Sequence, residues 1–75
     1  MTIQVNGEQV FSIPVENFAI SGTNTAYTLN YSVDGIFWSE VGDEVPAQTQ
    51  TMVLNGVKGM FYKLAGNNNE VTVIC

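Results

Sequence analysis

The sequence predicts an all-β domain, a small antiparallel β-sandwich or barrel of six to seven short strands, with Ig-like and jelly-roll-like arrangements both open. Three observations predict it. Alternating apolar and polar runs, rich in Val, Ile, Thr, Tyr and Phe, recur along the 75 residues at spacings of roughly 8 to 12. Between them stand Asn6-Gly7, Asp34-Gly35, Asn55-Gly56 and Gly66-Asn67-Asn68-Asn69, residue types that tolerate the positive φ of tight turns. No stretch carries apolar residues at helical spacing without Gly, Pro, Asn or a β-branched run interrupting it.

The first two strands are Thr2–Val5 and Gln9–Ile13, and Asn6-Gly7 between them predicts a type I′ hairpin. Pro14 lacks a backbone donor, so it ends the second strand or places it at a sheet edge. Val15–Ile20 is a shorter strand, and Ser21–Thr25 is small and polar enough to be a loop. Ala26–Val33 has the cleanest alternation, with Tyr27, Leu29, Tyr31 and Val33 on one face and Thr28, Asn30 and Ser32 on the other. Asp34-Gly35 turns it back into Ile36–Val41. A two-residue turn there sets Tyr31 opposite Trp38, and a three-residue loop sets it opposite Phe37, so an aromatic pair crosses the strands in either register. Gly42–Gln50 is an acidic loop that crosses from one sheet to the other. Thr51–Leu54, Met60–Ala65 and Glu70–Cys75 complete the set. The strands do not align at a fixed period, which excludes a solenoid or propeller; residues 1–75 form one domain.

Composition excludes several functions. Apolar residues make up 45% of the chain and charged residues 12%, a balance that folds rather than stays disordered. The net charge of −5 sets Glu8, Glu16, Asp34, Glu40, Asp43, Glu44 and Glu70 against Lys58 and Lys63. Phosphate binding draws on cations that release counterions, so nucleic acid is not an expected partner. An anionic membrane surface needs clustered basic residues, and no apolar run approaches the ~20 residues of a membrane span. Residues 1–10 have neither the basic start nor the apolar core of a signal peptide, so cytoplasmic synthesis is expected. The single cysteine, Cys75, permits no internal disulfide; it reads as a small apolar residue ending a strand.

Catalysis lacks its parts. With neither His nor Arg, the usual general base and anion clamp are missing, and no Ser–His–Asp or Cys–His set can form in one chain. Lys58 and Lys63 read as solvated lysines. Glu40, Asp43 and Glu44 are near enough in sequence to hold Ca²⁺, but their spacing matches no EF-hand and a solvated acidic loop is the simpler reading. No enzyme activity, cofactor or metal is expected. The aromatics Tyr27, Tyr31, Phe37, Trp38, Phe61 and Tyr62 serve first as core. Neighbours along a strand point to opposite faces, so one of Phe37 and Trp38 and one of Phe61 and Tyr62 lie outside it. Exposed aromatics on a soluble protein mark a contact surface. The candidate partner-binding residues are therefore Phe37 or Trp38, Met52, Met60, and Phe61 or Tyr62.

The stretch Tyr27–Trp38 (YTLNYSVDGIFW) resembles the Y-x-x-x-Y-S-x-D-G-x-x-W hairpin of discoidin-like and other carbohydrate-binding β-sandwiches, and of phage and bacterial surface modules. It spans 12 of 75 residues, and discoidin-like domains are much longer. The whole pattern, with its short N-terminal hairpin, YTLNYSVDGIFW, acidic loop, NGVKGMFYKLAGN and terminal EVTVIC, resembles short β-proteins of crAss-like Bacteroides phages, among them small auxiliary proteins that decorate the capsid. That resemblance implies a virion structural protein, assembled in the host cytoplasm, that binds the major capsid protein or other virion proteins at the capsid surface. By analogy with decoration proteins, a trimer is the first expected assembly and a singly docking monomer the second. The discoidin-like resemblance implies an alternative, a carbohydrate-binding or adhesion module. There Trp38 or Tyr62 stacks on a surface glycan and Asn67, Asn68 and Asn69 bond its hydroxyls; the bland reading of Gly66–Asn69 is a hairpin turn.

Overall fold

The computed structural model describes residues 2–13, 15–53 and 60–75. Expectations for Pro14, Leu54, the Asn55–Gly59 turn and Lys58 lie outside the described residues. The described chain contains no helix and eight strands: β1 (Thr2–Asn6), β2 (Phe11–Ser12), β3 (Phe18–Ile20), β4 (Thr28–Ser32), β5 (Ser39–Glu40), β6 (Thr51–Val53), β7 (Phe61–Ala65) and β8 (Glu70–Ile74). They form two antiparallel four-stranded sheets, ordered β1-β8-β3-β6 and β2-β7-β4-β5.

The two orders answer the question that composition and spacing left open. The chain behaves as a long antiparallel ribbon in which β1 lies by β8, β2 by β7, β3 by β6 and β4 by β5, wrapped so that alternate pairs fall in opposite sheets. That is the jelly roll, an architecture shared by viral capsid and lectin domains.

The wrap corrects the first hairpin. β1 and β2 lie in different sheets, with Val5 opposite Val71 and Phe11 opposite Tyr62. Asn6-Gly7 is still a turn, with Gly7 at φ 62°. However, the Gly7 N–H donates to Asn69 O at 2.9 Å and Gln9 N–H donates to Asn6 O at 3.2 Å, so the turn passes the chain between sheets. Burial explains the choice: Phe11 and Phe18 both pack on the Tyr62 ring, at centroid separations of 5.9 and 5.1 Å, and a local β1–β2 hairpin would take Phe11 away from that cluster.

The core between the sheets comprises Val5, Phe11, Ile13, Phe18, Ile20, Tyr27, Leu29, Tyr62, Leu64, Val71 and Val73, with Ile3, Tyr31, Val45, Val53, Met60 and Cys75 packed against it. The alternation read for Tyr27, Leu29 and Tyr31 holds, but Val33 is exposed and Ser32 is buried. The β4–β5 register also differs from both expectations: Tyr31 stands opposite Ser39 and Asn30 opposite Glu40. No aromatic pair crosses this hairpin, because residues 33–37 leave the ladder as a loop.

Candidate functional site

The sandwich has two unlike ends. At one, the connections 7–10, 21–26, 41–50 and 66–69 meet, carrying Glu8, Asp43 and Glu44, with Glu70 at the start of β8. These loops are tied to one another. The Asn67 amide is buried; its Nδ2 donates to Gly7 O at 2.9 Å and Asn69 O at 2.8 Å, while its Oδ1 accepts from Asn69 N at 3.3 Å. Gly66 N donates to Glu8 Oε2 at 2.6 Å, and Gln48 N donates to Thr23 O at 2.7 Å. The Tyr27 and Val45 backbones exchange bonds of 3.0 and 2.7 Å, closing the acidic loop onto β4.

At the opposite end lie Ile13, residues 15–17, the β4–β5 loop, Met60, Phe61 and the two terminal segments paired through Thr2 and Ile74. The β4–β5 loop dominates this end. Val33, Ile36 and Phe37 keep 79%, 71% and 80% of their surface in solvent. Ile36 and Phe37 are held by Asp34, whose Oδ1 accepts from Ser32 Oγ at 2.9 Å, Ile36 N at 2.9 Å and Phe37 N at 3.1 Å. Ser32 Oγ also accepts from Asp34 N at 3.3 Å and Gly35 N at 2.8 Å. Gly35 takes φ 80° beside the Phe61 ring. Donors from Ile36, Phe37 and Ser32, in that order, hold the Asp34 carboxyl below its ordinary pKa. The strand therefore stops at Ser32 because a side-chain network replaces its ladder bonds, and the apolar residues beyond it are displayed on a fixed loop.

Alternation sorts the predicted partner-binding residues. Of Phe61 and Tyr62, Phe61 faces out from β7 and Tyr62, 3% exposed, lies in the core. Of Phe37 and Trp38, Phe37 projects from the tip; Trp38 is half-buried with the Lys63 ammonium 4.5 Å from its ring centroid. Met60 is half-buried against the core. Met52 is exposed on the outer face of the other sheet, in a row with Ala19 and Ile74. This row borders a shallow groove of about 250 Å³ lined by Asn17, Phe18, Ala19, Met52, Ile74 and Cys75. Phe37 and Phe61 thus share the apolar end, with Met52 near it on the other sheet. The sequence reading missed Val33 and Ile36, which alternation had placed in strands; the signal that finds them is Ser32-x-Asp34-Gly35, a side-chain-capped turn.

The sugar-stacking reading retains fewer groups. Tyr62 is internal, both donors of the Asn67 amide are engaged in the turn, and Asn69 Nδ2 donates to Asn68 Oδ1 at 2.7 Å. Asn30 Oδ1, on the outer sheet face between Lys63 and Glu40, is buried without a hydrogen-bond partner. Among the described residues, no group of three or more His, Cys, Asp or Glu stands together to hold a metal.

Fold and surface together define a class: among the described residues, an eight-stranded jelly roll with one end closed by polar cross-ties and the other presenting exposed apolar side chains. No protein-family model, curated protein or solved structure matches the chain.

Proposed function

We propose that the protein is a non-enzymatic virion structural protein that docks through its apolar end onto the outside of a phage capsid. The observation that carries this reading is the β4–β5 tip, where Val33, Ile36 and Phe37 are exposed while Ile36 and Phe37 are anchored through Asp34. An apolar surface already held in its bound shape loses little conformational freedom on binding, and exposed aromatics are the common anchors of protein interfaces. Jelly rolls occur in capsid and lectin domains alike, so the fold supports the class without choosing within it. The acidic opposite end would then face outward, where excess negative charge discourages aggregation and adsorption to nucleic acid.

Mass spectrometry of purified particles from the source tests the reading directly, with the chain expected at roughly tens to hundreds of copies per particle if each repeated site of a symmetric shell binds one. Its absence from particles, with the protein free in the lysate, would reject the virion role. The docking end is tested by Phe37→Ser combined with Ile36→Ser. The double variant is expected to melt within a few degrees of the parent, because the substituted side chains are solvated, and to lose at least about tenfold in capsid affinity. Unchanged occupancy would move docking away from this end.

A further inference from the structure

The hydrogen-bond parity of the outer strand β1 reveals a second surface, on the open edge of the β1-β8-β3-β6 sheet rather than on the β4–β5 tip. Gly7 and Asn69 form a bonded pair through Gly7 N–H and Asn69 O at 2.9 Å. With Val5 opposite Val71 and Ile3 opposite Val73, antiparallel alternation assigns the odd residues of β1 to β8. Ser21 N–H donates to Thr72 O at 3.0 Å, which assigns the even residues of β8 to β3 and agrees with this parity. The even residues of β1 therefore turn their N–H and C=O groups to the open edge. At Asn6 that edge is closed, since Gln9 Oε1 accepts from Asn6 N at 3.2 Å and Gln9 N donates to Asn6 O at 3.2 Å. At Thr2 and Gln4 nothing within the described residues closes it.

Edge strands are normally guarded by shortness, Lys, Pro or a bulge. Edge strands β2, β5 and β6 span two, two and three residues, whereas β1 runs five residues (TIQVN) with no charge and no proline. The Gln4 side chain is drawn back over its own sheet, its Oε1 accepting from Thr72 Oγ1 at 3.2 Å, so it does not obstruct the edge.

We infer that β1 pairs antiparallel with β1 of a second copy of this chain, about a two-fold axis at Ile3. Thr2 and Gln4 are symmetric about Ile3, so this axis sets Thr2 of each copy opposite Gln4 of the other and each such pair exchanges both N–H···O=C bonds. With Asn6 closed by Gln9, the open groups of β1 within the described residues are confined to Thr2 and Gln4, and pairing about this axis satisfies all of them in both copies with none left over, which fits a second copy as the occupant. The axis also brings the two Ile3 residues together as a non-bonded pair, with Cα atoms about 4.5 Å apart; Ile3 is half-buried against the core in one copy and is covered in two. The joined sheet runs β6-β3-β8-β1-β1-β8-β3-β6. Strand reversal sends the two acidic ends apart, which limits repulsion between copies of net charge −5.

Sedimentation across a range of protein and salt concentrations tests the pairing, together with amide exchange. The expected result is a monomer–dimer equilibrium that tightens with added salt, because screening weakens the repulsion, and a Gln4 amide that gains protection as concentration rises. Gln4→Pro removes that donor at a position where the monomer does not use it, and it is expected to weaken the dimer by about tenfold or more. Thr2→Pro provides a second variant should Gln4→Pro unfold. Phe37→Ser is expected to leave dimerisation unchanged, which separates this surface from the docking end. A monomer at millimolar concentration with an unprotected Gln4 amide would overturn the inference, as would a dimer unaffected by proline in a folded variant.

Discussion

Asp34 is a solvent-exposed carboxylate, but its position makes it the fastening of the tip. The N–H groups of Ile36 and Phe37 and the Ser32 hydroxyl favour its ionised form, so its folded-state pKa lies below the ordinary 3.8. A depressed carboxylate stabilises the folded loop above the unfolded value and loses that contribution as pH falls through the folded one. Titration followed by NMR is expected to place the Asp34 midpoint below 3.8, with the Ile36 and Phe37 amides shifting at the same pH; a midpoint at or above the ordinary value would contradict the fastening. Tyr27 behaves in the opposite sense. Burial raises its phenol pKa, partly offset by the hydrogen bond to Thr51 Oγ1 at 3.1 Å. Its contribution is present below the ordinary value of 10.0 and is lost as pH rises through the folded one. Tyr27→Phe is expected to lower unfolding stability by about 1 kcal/mol, read from the denaturant midpoint.

At the scale of elements, strand positions were legible and strand partners were not. β4, β6, β7 and β8 fall within the alternating runs that the sequence displays, because a residue facing the core must be apolar wherever its neighbour faces water. Pairing has no such local mark. Asn6-Gly7 has the chemistry of a hairpin turn, yet β1 follows β8 because Val5 and Ile3 find Val71 and Val73 across the fold. Either Trp38 or Phe37 was expected opposite Tyr31, but Asp34 ended the ladder first. The candidate surface was legible in part for the same reason: alternation required one outward residue in Phe37/Trp38 and in Phe61/Tyr62, but it also assigned Val33 and Ile36 to strands. The turns themselves are structural. Asn67 ties the β7–β8 connection to the β1–β2 turn, and Asn67→Ala is expected to destabilise the domain by about 1 to 3 kcal/mol, since it strands Gly7 O and Asn69 N near the core. A thermal melt that matches the parent would show that this turn does not need its side-chain ties.

The whole molecule is an asymmetric body, tied by polar contacts at one end and apolar at the other, so its fold separates the part that keeps the loops in place from the part that displays exposed apolar side chains. The same wrapped ribbon governs how the domain forms. Thr2 meets Ile74 and Phe11 meets Tyr62, whereas Asn30 meets Glu40, so β4–β5 is the pairing with the shortest loop to close. A chain whose remaining strand pairs wait on distant segments folds in milliseconds to seconds rather than microseconds. The β4–β5 turn is then the natural nucleus, and Asp34→Ala is expected to slow refolding with little change in the unfolding rate, while Val5→Ala in β1 mainly speeds unfolding. Stopped-flow chevrons distinguish the two, and equal effects on both limbs would remove the turn from the nucleus. The tip that displays Val33, Ile36 and Phe37 is then also the first part of the chain to find its shape.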